Sequence, residues 1–148
     1  MRIINKDKDF HMHSLNFSPD ALHTIDEIAQ YAGRIGLSEI IITDHSDEIR
    51  RIKKQAPCEN RLATFRWRNV YNEVKVSFGV EADLLNEQGD VCATIGGIKP
   101  EFWVLSAHTE SYAGDLTLLT DGYCKAIERF HQHIGVIGHL DAIYFYGC

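Results

Sequence analysis

No stretch of the chain approaches the length of an apolar membrane span, and the opening residues Met1 to Asp9 hold no apolar core of the kind an export signal needs. The expectation is a soluble, cytoplasmic protein with no membrane partner. No C-x-x-C pair occurs among Cys58, Cys92, Cys124 and Cys148. A zinc ribbon or dithiol redox motif is therefore excluded, and the four read as reduced thiols. Positive charge is lacking too: a formal charge of −6 removes the global electrostatic reason to expect a nucleic-acid binder. No internal repeat, low-complexity tract or linker divides the chain. What remains, 148 residues of which 45% are apolar and 24% charged, reads as one globular domain over residues 1–148.

Histidine is what the sequence has in excess, with eight in 148 residues. Their placement follows from the pattern of elements. Short apolar runs alternate with helix-like segments. A first strand ends at Phe10–His13; Ser18-Pro19-Asp20 then reads as N-cap, first-turn proline and early acid of a helix reaching about Gly33. Glu39–Thr43 is an apolar strand of the buried parallel kind. A helix over Arg61–Glu73 and a strand over Val74–Ala82 follow. Asn86–Asp90 makes a turn into a short apolar stretch through Ile95. Then come a strand at Phe102–Ala107, a helix at Leu116–Phe130 and a fifth strand at Ile134–Gly138. Strands alternating with helices predict an α/β fold with a parallel sheet.

One strand after another ends in a group that can bind a metal. The first ends in His11-Met12-His13, the second in Asp44-His45, the third carries Glu81-Ala82-Asp83, the fourth ends at His108 and the fifth at His139-Leu140-Asp141. In a βα barrel the strands run the same way, so these ends converge on one face. His-x-His alone is weak evidence, and a second copy, His131-Gln132-His133, makes the point. That pair falls at a helix C-terminus before a strand, on the opposite face, where imidazoles complement the helix dipole. His11 and His13 differ because residues i and i+2 of a strand point the same way. Glu81 among four histidine-bearing strand ends reads as a bridging carboxylate. Asp20 reads equally well as a ligand or as a first-turn acid, with His23 a weaker rival. Asp44, Asp83 and Asp141 are candidates to orient the histidines, or Asp44 to touch substrate. Mixed nitrogen and oxygen donors suit zinc, manganese or iron.

At these residues the chain resembles the polymerase and histidinol phosphatase (PHP) family. The matching segments are DFHMHS (Asp9–Ser14), GLSEIIITDHS (Gly36–Ser46), GVEADLL (Gly79–Leu85), WVLSAH (Trp103–His108) and VIGHLD (Val136–Asp141), in the family's order. The resemblance implies parallel βα units of a distorted seven-stranded, TIM-like barrel, two or three divalent transition-metal ions, and hydrolysis of phosphate esters. Carried over, His11, His13 and Glu81 hold a first metal. Glu81 bridges to a second held by His108 and His139, and a third uses His45 and Asp20. Family members finish with a further Asp-x-His that completes the first and third sites, and the sequence stops nine residues after His139 without one. The expectation is therefore an incomplete barrel of five strands, its open edges prone to self-association, with weak activity by itself.

Two metals about 3.5–4 Å apart lower the pKa of a shared water and clamp the attacking and leaving oxygens. Glu81 and Asp44 are then the candidate catalytic residues. Arg50–Lys75 holds eight basic residues against Glu59 and Glu73. Part of it, with Arg51 and Lys53 foremost, is a candidate to steer an anionic substrate, beside the plainer reading of a solvated face. The favoured substrate is a small phosphomonoester, histidinol phosphate being the family precedent. A nuclease acting on nucleic-acid ends and a non-catalytic domain that binds metal or a partner are the alternatives.

Overall fold

A computed structural model describes residues 6–18, 20–55 and 64–140. In chain order the elements are β1 (Lys8–Met12), α1 (Ile25–Arg34), β2 (Glu39–Ile42), α2 (Asp47–Ile52), β3 (Lys75–Phe78), β4 (Val80–Leu84), β5 (Val91–Cys92), β6 (Trp103–Ser106), α3 (Leu119–Phe130) and β7 (Ile134–Ile137). Strands β1, β2 and β3 form one parallel sheet in that order, while β4, β6 and β7 form a second parallel run with β5 antiparallel on the outer edge of β4. A parallel bridge between His45 and Glu81 ties the two sheets into one wall. Among the described residues β1 pairs only with β2 and β7 only with β6, so the wall is α/β and parallel but not closed. In the same residues no helix is long and apolar enough to cross a membrane.

The helices pack on the outside of this wall because each carries a single apolar stripe. Ala32 of α1 lies against Ile40 and Ile42 of β2 and Val74, while Leu119, Tyr123 and Ala126 on α3 meet Leu84, Leu105 and Ala107. Ile40, Ile42, Leu84 and Leu105 have no exposed surface, each contributing roughly 1.5–3 kcal/mol through burial. With the outer faces of the strands committed to helices, side chains at the strand C-terminal ends are left for the site.

Four local expectations are corrected. The first helix starts at Ile25, not at Ser18-Pro19-Asp20: Thr24 caps it and Glu27 closes the reciprocal capping box. Ser18 is instead buried in the preceding loop, where its Oγ accepts from the backbone N–H of His45. The helix read over Arg61–Glu73 is absent from its described part: 3-10 conformation at 64–65 gives way to irregular chain. The amides of Asn69 and Asn72 there bond to Val74 and Ala29 carbonyls rather than to a helix ladder. Residues 61–63 lie outside the described set. A short helix, α2, appears where none was read, capped by Ser46. Finally, the strand read over Val74–Ala82 breaks at Gly79 into β3 and β4. Gly79 donates to the Ile42 carbonyl and Val80 to that of Phe102, so the chain passes from one neighbour to the next there. A Cβ at Gly79 would sit 2.6 Å from the Phe102 oxygen, which is why only glycine fits the crossover.

Candidate metal centre

Glu81, the second residue of β4, has no exposed surface and is surrounded by the histidines of the other strand ends. Its Oε1 lies 3.1 Å from His11 Nε2, 3.3 Å from His108 Nε2 and 3.2 Å from His139 Nε2. Its Oε2 lies 3.2 Å from His13 Nε2 and 3.0 Å from His45 Nδ1. The five rings close on themselves: centroid distances are 5.3 Å from His11 to His13, 4.4 Å to His45, 5.1 Å to His108, 5.8 Å to His139 and 5.1 Å back to His11. His11 lies in β1 and His13 directly after its last residue, Met12, and the parallel strands bring the other rings to the same level. His139 is held in the left-handed region at φ 47°, unusual for a residue with a Cβ and a sign that the chain turns sharply to present this ring.

Nearness here is not hydrogen bonding. His11 Nε2, His45 Nδ1, His108 Nε2 and Glu81 Oε2 are buried without a hydrogen-bond partner despite lying so close to one another. Buried polar atoms left in this state are costly unless something between them accepts their lone pairs. Cations fit that requirement. Two sets of ligand atoms lie within 4.8 Å of one another, His11 with Glu81 and His139, and His13 with His45 and Glu81. His11 and His13, which the family resemblance groups on a first metal, lie nearest different oxygens of Glu81.

The electrostatics are those of a site that demands positive charge. Burial opposes ionisation of Glu81, but the approach of His108, His11, His13 and His139 outweighs it and holds the carboxyl far below the ordinary range. Burial likewise opposes charge on His108, yet Asp83 and Glu81 push it up to about 10. His45 is raised against the same penalty, chiefly by Glu81. Asp20 stands 3.0 Å from His45 Nε2, on the far side of that ring from Glu81. Burial acts to raise its pKa, but His45 wins and lowers it. His23 lies outside both ligand sets.

Supporting residues sort differently from expectation. Asp83 faces His108 Nδ1 at 2.7 Å, the orienting geometry anticipated for it. Asp44 is fully buried and takes the Ser14 N–H at 2.5 Å and the Ser14 hydroxyl at 2.9 Å. It fastens the loop after His13 to the end of β2, one residue before His45. Asp141 lies outside the described residues. Arg51 is bound through Nε and Nη2 to Glu48 at 2.9 and 2.5 Å along α2, with most of its side chain exposed. Lys53 lies 3.7 Å from Glu110, two residues past His108, on the rim. Ser106, not foreseen, donates to Glu81 Oε1 at 2.7 Å. Its signal was present: Ser106 precedes His108 by two, the same-side spacing used for His11 and His13.

His131 and His133 are far from this ring in kind as well as place. His131 ends α3, and His133 stacks on Trp103 at 4.8 Å with its Nδ1 near the Glu101 carbonyl. His131→Ala and His133→Ala should leave metal content unchanged by elemental analysis. Loss of the stack in His133→Ala should lower stability by about 0.5–1.5 kcal/mol. Metal loss in either variant would mean that the wrong His-x-His had been chosen.

The family model of the PHP domain matches residues 9–147. No curated protein matches the chain at a significant level. The match runs through every strand end that contributes to the ring, and the chain belongs to the PHP-domain family of metal-dependent phosphoesterases.

Proposed function

We propose that the chain hydrolyses a small phosphate monoester with two or three divalent transition-metal ions, zinc, manganese or iron, held around Glu81. The observation that carries this reading is the closed ring of five imidazoles on one buried carboxylate. Ions bound there would activate a shared water and offset charge on the phosphoryl oxygens. The chain's own residues do the rest. Glu81 offers one oxygen to each half of the ring and neutralises part of the bound charge. The imidazoles must present neutral nitrogens, with Asp83 holding the His108 ring in place. Ser106 keeps the Glu81 carboxylate from rotating. Lys53 places a cation at the rim, where it can draw in a dianionic phosphate.

A small monoester is favoured over a nucleic-acid end by charge. The net of −6 repels a polyanion, and at the rim Lys53 is partly offset by Glu110. The test is to load the chain with zinc or manganese and assay p-nitrophenyl phosphate, histidinol phosphate and a single-stranded oligonucleotide side by side. Phosphate release from a monoester with the oligonucleotide intact supports the proposal. Cleavage of the oligonucleotide alone would favour the nuclease, and metal uptake with neither activity would leave a binding domain. In the same assay Lys53→Ala should raise KM several-fold without altering metal content, whereas Arg51→Ala should change neither. An unchanged KM in Lys53→Ala returns that lysine to the solvated surface.

A further inference from the structure

Asp83 is wholly buried, and both of its oxygens are used. Oδ2 accepts from Ser46 Oγ at 2.5 Å; Oδ1 accepts from Ser111 Oγ at 2.6 Å and faces His108 Nδ1 at 2.7 Å. The three partners come from different places. Ser46 follows β2 and also caps α2 by accepting from the Glu48 N–H, while its own N–H donates to the Glu81 carbonyl. Ser111 is brought over Asp83 by the turn in which the N–H groups of Ser111 and Tyr112 both donate to the His108 carbonyl. One carboxylate thus fastens the loop after β2 and the loop after β6 to β4, two residues from Glu81.

We infer that Asp83 is the positioning residue that commits His108 to ligate through Nε2, with Ser46 and Ser111 fixing the Asp83 carboxylate for that purpose. The reasoning is one of donors and acceptors. An imidazole facing a carboxylate oxygen at 2.7 Å does so through N–H, so Nδ1 carries the proton. In the neutral ring the lone pair is then on Nε2, the atom 3.3 Å from Glu81 Oε1. Ser46 and Ser111 occupy the other approaches to Asp83, which prevents the carboxylate from swinging away. A purely structural Asp83 would hold the loops together without caring which nitrogen faces the ring. The inference rests on the metal-site reading above and adds to it the choice of ligand atom.

The test compares the wild-type chain with Asp83→Ala and Asp83→Asn after loading with zinc. It measures zinc affinity by competition with a chromophoric chelator and the His108 ring ¹⁵N shifts by NMR. The asparagine keeps an acceptor for His108 Nδ1 and Ser111 and can offer its amide N–H to Ser46. Wild-type protein should show His108 bound through Nε2. Asp83→Ala should lose about 10–100-fold in affinity for one zinc and show His108 divided between Nε2 and Nδ1. Asp83→Asn should keep Nε2 ligation and lie within several-fold of wild-type affinity. Wild-type affinity and an unchanged His108 signature in Asp83→Ala would overturn the inference while leaving the metal site intact. If Asp83→Ala does not fold, Ser46→Ala and Ser111→Ala, which free the Asp83 carboxylate, decide: weaker zinc binding with His108 divided between its two nitrogens in either supports the inference, and wild-type affinity with an unchanged His108 signature in both overturns it. A wild-type chain that takes up no zinc overturns both this inference and the reading beneath it.

Discussion

Glu81→Ala should abolish metal binding across the whole ring rather than at one position. Each Glu81 oxygen faces a different set of imidazoles, Oε1 toward His11, His108 and His139 and Oε2 toward His13 and His45. Alanine removes a ligand from every ion that uses the carboxylate and also removes the negative charge that offsets them. The loss should exceed the roughly 10–100-fold that deleting an outer partner of a ligand costs, and it should appear in each binding step. Alanine in place of His108 or His139 should weaken mainly the half of the ring that faces Oε1. Titration with zinc against a competing chelator separates the two patterns. If Glu81→Ala retains two ions at wild-type affinity, Glu81 is not a bridge.

Raising the pH should weaken the metal-free chain while increasing what bound metal adds to its stability. Without metal, His108 has a folded pKa of about 10 against an ordinary value of 6.5. The folded state therefore holds that proton more tightly than the unfolded chain does. The stabilisation this gives is complete below about pH 6.5 and is lost as pH rises through about 10. His45, also raised, acts in the same sense. Glu81 is shifted the other way, from an ordinary value of 4.5. Its contribution is present above that value and is lost only as pH falls below it, so it does not offset the alkaline loss. With metal, the imidazoles must shed their protons to ligate, so binding strengthens over the interval in which the metal-free chain weakens. A ligand at 100 times its Kd adds about 2.7 kcal/mol, enough to see as a rise in Tm. The Tm of chelated protein should fall from pH 6.5 to 9.5 while the gain on adding zinc widens. A flat Tm in chelator with a constant gain would show that the ring does not titrate as these contacts require.

Histidines and Glu81 were legible in the sequence because their signal is local and repeated: each follows an apolar run, and strand ends in a parallel fold share a face. The grouping around Glu81 was not legible. Which oxygen His11 or His13 meets depends on how the bridge between His45 and Glu81 seats β4 beside β2, a contact between residues far apart in the chain. The break at Gly79 was hidden for a similar reason, since the obstacle to a side chain there is the carbonyl of Phe102. Elsewhere two plausible local signals competed. Ser18-Pro19-Asp20 and Thr24 with Glu27 both resemble helix starts, and the demand of the His45 N–H for an acceptor drew Ser18 into the loop and left the cap to Thr24. The part Asp44 plays in fastening the loop after His13 was hidden too, because its partner Ser14 lies thirty residues away in the chain.

Everything proposed for this chain depends on the ring around Glu81 holding more than one cation. Protein freed of metal by chelation, reloaded separately with zinc, manganese and iron, and desalted should be assayed by elemental analysis beside a Glu81→Ala control. The wild-type chain should retain at least two ions of one of these metals per molecule and the control none; a wild-type chain that retains none of the three would contradict it.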